Sequence, residues 1–195
     1  LQGNGVEKNE AVALDWLESA AKAGQAEAQY QLGDIYLKGL GVPSEPAWAA
    51  RWYGKAAEQQ FADARLALAR AFERGQGLPI NWVRACQWAI LAEQSGASQA
   101  SEIQAQVCDQ LTAEKHERAR QLAAAWQPQE YPFYEDPPTI RYVQMKLQQL
   151  RFYAGYVDGV DGERTRSAIA EYREEREMSG QDHSLEILLE QLRVE

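Results

Sequence analysis

A repeat of 36 residues constrains this 195-residue chain more than any other feature. Tryptophan recurs at that interval at Trp16, Trp52 and Trp88. A period of this length is typical of solenoids, in which each unit can bury its apolar face only against its neighbours. The other matched pairs keep the same register: Leu32 with Leu68, Tyr36 with Phe72, Gly39 with Gly75, Gly41 with Gly77, and Pro43 with Pro79.

Each repeat has the pattern of a helical hairpin. In its first helix a tryptophan precedes an alanine by four residues, as in Trp52 and Ala56, so both lie on one face. An alanine-rich second helix follows and ends at a G-x-G pair, because glycine accepts the left-handed backbone of a helix C-cap. The pattern predicts an all-α fold, a right-handed α-solenoid of hairpins over residues 1–126.

The repeat residues resemble Sel-one-like repeats, which are relatives of the tetratricopeptide repeat. The matching stretches are A-x2-W-[LY]-x2-A-A, A-x-A-x2-x-L-[GA] and [YF]-x2-G-x-G-[VL], between about Gly3 and Ala100. The resemblance implies a concave surface, lined by the first helices, that binds a partner protein. We expect Arg51 and Lys55 to be exposed there and to contact that partner.

The two ends of the repeat array carry separate expectations. Gly3 and Gly5 fall one period before Gly39 and Gly41, which predicts a truncated first repeat and at least one further repeat upstream. After about residue 100 the repeat decays into "TAEKHERARQLAAAW", an amphipathic stretch with Thr112 as a plausible N-cap. We expect this helix to cover the open end of the solenoid.

Two cysteines lie on either side of the third hairpin turn, Cys86 about ten residues before Gly96 and Cys108 about twelve after it. Antiparallel helices joined there would bring them close together. Either a disulfide, which argues for an oxidising compartment, or two buried free thiols fits this spacing. His116 and His183 have no His or Cys partner at metal-ligand spacing, so we expect no metal and no cofactor.

Composition excludes several classes of function. The formal net charge of −9 gives no footprint for nucleic acid or for an anionic membrane surface. No apolar run approaches the roughly 20 residues that span a bilayer, so membrane contact is expected only through sequence upstream. No nucleophile has a placed histidine, and the sequence therefore predicts a protein that is not an enzyme.

A second module follows a proline-rich segment. "QPQEYPFYEDPP", residues 127–138, holds four of the seven prolines and predicts a stiff spacer. We expect its Tyr131, Phe133 and Tyr134 to pack against one or both domains. Residues 139–195 then carry three short amphipathic patterns, which predict a small three-helix bundle.

The stretch "GYVDGVDGERT", residues 155–165, joins the first two of these helices. It lacks the alternating oxygen ligands of a calcium loop and the lysine of a phosphate-binding loop. With the preceding L-Q-x2-L helix it resembles the peptidoglycan-binding domain family of bacterial cell-wall proteins, over about Ile140 to Leu192. The loop residues that we interpret as structural are Gly155, Asp158, Gly159, Asp161, Gly162 and Thr165, with Asp161 as the cap of the second helix and Gln148 bonding to the loop backbone.

The second resemblance implies a wall-binding surface beside this loop. Tyr153 and Tyr156 could stack on sugar rings, and Arg151 and Arg164 could bind stem-peptide carboxylates. The alternative is that both tyrosines only cover a small core. Arg151 also stands where the family usually has glycine.

Together the two resemblances imply a non-catalytic periplasmic adaptor that joins a partner protein to peptidoglycan. Two alternatives stay open at this point. One is a protein–protein scaffold or polarity factor whose last module no longer binds peptidoglycan, and the other is the targeting part of a cell-wall hydrolase.

Overall fold

The computed structural model describes residues 10–128, 137–160, 162–176, 178 and 185–195. The chain divides into two compact units, Leu1–Gln129 and Glu130–Glu195. Every regular element among the described residues is an α-helix, which confirms the all-α prediction.

The first unit is a stack of helical hairpins. Each second helix packs against the first helix of the next hairpin, α2 on α3 and α4 on α5, as expected for a solenoid. The helices are α1 Glu10–Lys22, α2 Ala26–Lys38, α3 Pro46–Glu58, α4 Ala62–Arg74, α5 Trp82–Gln94, α6 Ala100–Cys108 and α7 Ala113–Ala124.

The G-x-G pairs end the second helices as the sequence predicts. Gly39 and Gly75 are left-handed C-caps with φ of 68° and 71°, and their N–H groups donate to the carbonyls of Ile35 and Ala71. Gly77 has φ of +76°, and a Cβ there would lie 2.1 Å from the Pro46 carbonyl oxygen. The loop after α4 can therefore lie against the start of α3 only because this residue is glycine.

Buried polar side chains tie each hairpin together at one repeat position. Gln29 Nε2 donates to the carbonyl of Ala21 at 3.0 Å, and Arg65 Nε, 36 residues later, donates to the carbonyl of Ala57 at 3.3 Å. Both bonds reach carbonyls near the end of the preceding helix, which also accept from the backbone N–H groups of Gly24 and Gln60. The same hydrogen bond therefore recurs at this repeat position, although its donor is a glutamine in one repeat and an arginine in the next.

The tryptophans of the repeat differ in exposure. Trp52 and Trp88 are buried, whereas Trp16, at the equivalent position of the first hairpin, is 74% exposed. Trp88 packs edge-on against Trp126, with the ring centroids 6.2 Å apart.

Helix α7 covers α5 at the end of the stack. Thr112 is its N-cap, accepting a hydrogen bond from the Lys115 N–H at 3.4 Å. Gln87 Nε2 on α5 donates to the carbonyl of Leu122 at 3.2 Å. Both observations agree with the predicted capping helix.

The second unit contains α8 Pro137–Gln149, α9 Glu163–Glu175 and α10 Leu185–Val194, with α8 packing against both others. Helix α8 takes in Pro137 and Pro138, the last residues of the segment that we assigned to the spacer. Proline is tolerated there because the first turn of a helix has N–H groups without intrahelical partners. Tyr131, Phe133 and Tyr134 lie outside the described residues. The core contains Tyr142, Val143, Leu147, Ala168, Tyr172, Leu188, Leu189 and Leu192.

Candidate functional site

A groove of about 420 Å³ runs between the second helices of the first two hairpins. We call it the α2–α4 groove. Its lining comes mainly from the second helices and not from the first helices, which we had expected to carry the contact surface. The lining residues include Tyr30, Asp34, Leu37, Lys38, Tyr53, Asp63, Leu66, Ala67, Arg70, Arg74, Ser98 and Gln99.

Two tyrosines form the centre of this groove. Tyr53 donates its hydroxyl hydrogen to Asp34 Oδ1 at 2.7 Å, and its ring lies 5.8 Å from that of Tyr30. Burial raises the pKa of Tyr53, and the hydrogen bond to Asp34 adds to this shift. Burial also raises the pKa of Tyr30, with smaller contributions from Asp34 and Asp63. Both phenols therefore stay protonated near neutral pH and can serve as neutral hydrogen-bonding groups.

Charged side chains surround the tyrosines. Lys38 pairs with Asp34 four residues earlier, and Arg70 Nη2 donates to Gln99 Oε1 at 3.0 Å. Arg74 and Asp63 are exposed. The groove thus offers an aromatic floor with separated charges of both signs, a surface that suits an extended polypeptide better than a small molecule.

The expectation that Arg51 is exposed is wrong. Its side chain is 1% exposed, and its guanidinium lies 4.6 Å and 5.0 Å from the ring centroids of Trp48 and Trp52. Lys55 is half-buried, with Nζ 5.2 Å from the Trp52 ring. Cation–π packing on the two tryptophans draws these side chains into the solenoid, so Arg51 cannot contact a partner directly.

A second cavity, of about 710 Å³, lies beside α5 and the end of α7. Arg65 lines it, with its guanidinium 4.3 Å from the Trp126 ring centroid. Its Nη1 donates to the carbonyl of Leu91 at 3.3 Å and to Ser95 Oγ. Burial lowers the pKa of Arg65. Through these bonds Arg65 on α4 connects the second hairpin to α5 of the third hairpin.

The two cysteines are joined in the structure. Cys86 on α5 and Cys108 at the end of α6 form a disulfide with 5.0 Å between their Cα atoms, and both are buried. The sequence left open either a disulfide or two buried free thiols, and the structure has the disulfide.

His116 lies in the same place as the disulfide. Its imidazole and the two sulfurs offer ligand atoms that are all within 4.8 Å of one another. The fold therefore places His116 beside cysteines that lie outside any metal-ligand spacing in the sequence. The 109–112 turn between α6 and α7 brings Cys108 and His116 together. Their spacing in the sequence does not match a known metal-binding motif, so the sequence did not predict this contact.

We expect mass spectrometry of the unreduced chain to show a mass two daltons below that of the dithiol. The bond closes a loop with a sequence separation of 22 residues, for which chain entropy predicts a stabilisation of about 3 kcal/mol. Reduction should lower the free energy of unfolding of the first unit by about that amount, as read by denaturant titration. Two alkylatable thiols in unreduced protein would contradict the assignment.

In the second unit, Gln144 organises the 155–165 loop. Its side chain is 0% exposed, and its Oε1 accepts from the N–H groups of Asp158 at 3.0 Å and Gly159 at 2.9 Å. Its Nε2 lies 2.9 Å from Asp158 Oδ1 and 3.0 Å from Thr165 Oγ1. One amide thus joins the middle of the loop to its end.

Sequence reasoning assigned this role to Gln148 and missed Gln144. Gln148 makes one long bond, Nε2 to the carbonyl of Gly155 at 3.3 Å, on the exposed side of α8. The sequence did offer a clue to Gln144, which follows the apolar Val143 and lies one turn before Gln148 on the same helix. The N-cap of α9 is Gly162, and Asp161 lies outside the described residues.

The four residues proposed to bind peptidoglycan separate into two groups. Tyr153 is buried, and its hydroxyl donates to the carbonyl of Tyr156 at 2.9 Å, so its ring covers the core and cannot stack on a sugar. Tyr156 is 89% exposed, and Arg151 and Arg164 are also exposed. A Cβ at Gly155 would lie 2.5 Å from the Tyr153 oxygen, which explains the glycine there.

Asp158 makes the loop sensitive to acid. The hydrogen bond from the Val160 N–H, followed by that from Gln144, lowers the pKa of Asp158 below its ordinary 3.8. The resulting stability is present above the ordinary pKa and is lost as the pH falls through the lower pKa of the folded state.

We therefore expect the second unit to lose stability as the pH falls below about 3.8, the ordinary aspartate value. Asp158→Asn should be less stable than the wild type at neutral pH and should lose less on acidification, because its side chain does not titrate. Thermal melts of both proteins across this range measure the difference, with Glu163→Gln as the control. Parallel pH curves for Asp158→Asn and the wild type would contradict the assignment.

Among the described residues, no helix combines the length and hydrophobicity that crossing a bilayer requires. Similarity to known proteins is concentrated in the first unit. The family described as Sel1 repeat matches residues 1–25, 26–61 and 62–96. No curated protein matches the chain.

Two solved structures resemble the solenoid. One is a protective antigen present in uropathogenic Escherichia coli strains and displaying an SLR fold, with 31% identity, a TM-score of 0.58 and 61% of this chain covered. The match spans only 26% of that antigen's length. The other is a Sel1 repeat protein from Oxalobacter formigenes, with 34% identity, a TM-score of 0.51, and coverage of 53% of this chain and 78% of that one.

Proposed function

This chain belongs to the Sel1 repeat family, whose repeats mediate protein–protein interaction, and on that premise we propose that it is a non-catalytic adaptor of the bacterial periplasm. Its solenoid binds a partner protein, and its second unit contacts peptidoglycan. Sel1 repeats are typically interaction modules without catalytic activity, which agrees with this assignment.

The α2–α4 groove is the observation that supports partner binding. It combines the buried Tyr53 and the half-buried Tyr30 with exposed charges, and its walls are consecutive repeats that pack against each other. Rigid walls lower the entropic cost of binding, because few side chains must be ordered when a polypeptide enters. The groove therefore replaces Arg51 and the first-helix face as the proposed contact surface.

Charge reversal at the rim of the groove tests this proposal. The double variant Lys38→Glu, Arg74→Glu changes two exposed groove cations, and Lys115→Glu, Arg118→Glu changes two exposed cations on α7 by the same amount. With a photo-crosslinking residue at Asp63, we expect one protein from a cell-envelope extract to be captured by the wild type and the α7 variant. The groove variant should lose that adduct while remaining folded, as read by circular dichroism. Equal capture by both double variants would refute the groove as the contact surface.

Peptidoglycan contact rests on the resemblance of the second unit and on three exposed side chains near its loop. Tyr156 offers an exposed aromatic ring for a sugar, and Arg151 and Arg164 offer guanidinium groups for carboxylates. An acidic chain needs such local cations to hold an anionic polymer.

Co-sedimentation with purified peptidoglycan tests the second half of the proposal. We expect Arg164→Glu and Tyr156→Ala to abolish retention without lowering the melting temperature. Arg166→Glu, two residues along α9 and thus on a different face, should retain binding. A wild-type chain that does not sediment favours a scaffold without wall binding. If the gene encodes a catalytic domain beside these units, the chain is instead the targeting part of a wall hydrolase.

A further inference from the structure

The cluster of Cys86, Cys108 and His116 has the composition of a metal site. Each residue offers one ligand atom, and these atoms lie within 4.8 Å of one another. They include both cysteines of the chain and one of its two histidines. Neither proposed interaction surface uses His116.

The three residues come from three helices that the fold already holds together. Cys86 is on α5, Cys108 ends α6, and His116 lies in the first turn of α7, where its N–H donates to the carbonyl of Thr112 at 2.9 Å. Because α5 packs against both α6 and α7, helix packing places the three ligand residues next to one another. The sulfurs are buried and the histidine is half-buried, so a bound ion would be screened from bulk water on the cysteine side.

We propose that the reduced form of this cluster binds one zinc ion through the two thiolates and the imidazole. Thiolate and imidazole are the ligands that zinc prefers, and three protein ligands leave one tetrahedral position for water or an exogenous group. This site is separate from the α2–α4 groove and from the loop of the second unit, and it does not depend on the proposed adaptor function.

The disulfide and the zinc ion compete for the same two sulfurs. A dithiol reductant supplies two electrons, breaks the Cys86–Cys108 bond, and is itself oxidised to a cyclic disulfide. The two thiol protons leave when zinc binds, and the imidazole donates a nitrogen lone pair without losing a proton. The third hairpin is thus joined covalently when oxidised and through the metal when reduced.

Cobalt substitution tests the site. The full chain is reduced with a dithiol, freed of reductant under nitrogen and titrated with Co²⁺, whose thiolate charge-transfer band reports sulfur ligation and whose visible bands report tetrahedral geometry. We expect one Co²⁺ per reduced chain, displaced by Zn²⁺, and no such binding by the oxidised chain. His116→Gln should weaken binding by at least about tenfold, because the loss of even an outer-shell partner of a metal ligand costs about that much. His183→Gln, the matched change at the only other histidine, should bind as the wild type does.

Thermal melts give a second readout. Zinc should raise the melting temperature of the reduced wild type and of reduced His183→Gln, but not that of Cys86→Ser. Equal cobalt affinity in His116→Gln and the wild type would overturn the role of the imidazole. Metal binding by the oxidised chain would overturn the site. So would a reduced chain that binds no metal and whose helical circular dichroism does not change when metal is added.

Discussion

Replacing Gln144 by alanine is expected to unfold the second unit at room temperature while the solenoid stays folded. The change leaves the N–H groups of Asp158 and Gly159 without their acceptor inside the loop. The buried Gly159 N–H costs about 1–3 kcal/mol when it loses its partner, the part-buried Asp158 N–H adds less, and the lost side chain leaves a cavity. A loss of roughly 3–5 kcal/mol is comparable to the whole stability of a unit this small.

Gln148→Ala provides the matched control. It removes the same side chain one turn later on α8, where a single bond of 3.3 Å is made on the exposed surface. All six tryptophans lie before residue 127, so their fluorescence reports the first unit alone. Amide exchange of α8 and α9 reports the second. Protected amides in Gln144→Ala, or equal loss of protection in both variants, would contradict the role assigned to Gln144.

Gly77→Ala is expected to destabilise the first unit by roughly 3 kcal/mol or more. A Cβ at this residue meets the Pro46 carbonyl oxygen at 2.1 Å, and φ of +76° is unfavourable for any side chain. Strained backbone and overpacking each cost about 1–3 kcal/mol, and the obstacle here is backbone, which cannot rotate away. The loop after α4 must therefore move off α3.

Gly96→Ala separates the two costs. Gly96 has φ of +81°, but a Cβ there has no atom within 4 Å, so only the backbone strain of about 1 kcal/mol applies. Denaturant titration followed by tryptophan fluorescence should show a clearly larger loss for Gly77→Ala. Equal losses in the two variants would mean that the contact with Pro46 is not essential.

The repeat allowed the hairpins of the first unit to be predicted, because its periodic alanines and glycines mark helix contacts and helix ends, although Trp16 is exposed where Trp52 and Trp88 are buried. The G-x-G pair specified the left-handed caps at Gly39 and Gly75, and Thr112 specified the start of α7. The hydrogen bonds of Gln29 and Arg65 escaped prediction. Two different residue types serve one repeat position, so a comparison of letters shows no match there.

The candidate sites were harder to predict, since a sequence gives a residue's type but not its depth. Arg51 and Tyr153 can each bind a ligand at a surface, yet the Arg51 guanidinium packs on tryptophan rings and the Tyr153 ring covers the core. His116 approaches the cysteines only through the turn between α6 and α7, a contact that helical periodicity does not encode. Gln144 and Gln148 lie one turn apart on α8, and the sequence does not show that only Gln144 is buried.

The disulfide also has a mechanical consequence if the chain links a partner protein to peptidoglycan, as proposed. Under tension, helical hairpins extend towards about 3.5 Å per residue, so the segment between Cys86 and Cys108 could contribute roughly 70 Å of contour length. The covalent bond removes that segment from the extensible chain whatever the load. The oxidised protein would therefore be a shorter tether than the metal-free reduced protein, and the redox state would set the greatest distance that the two ends can bridge.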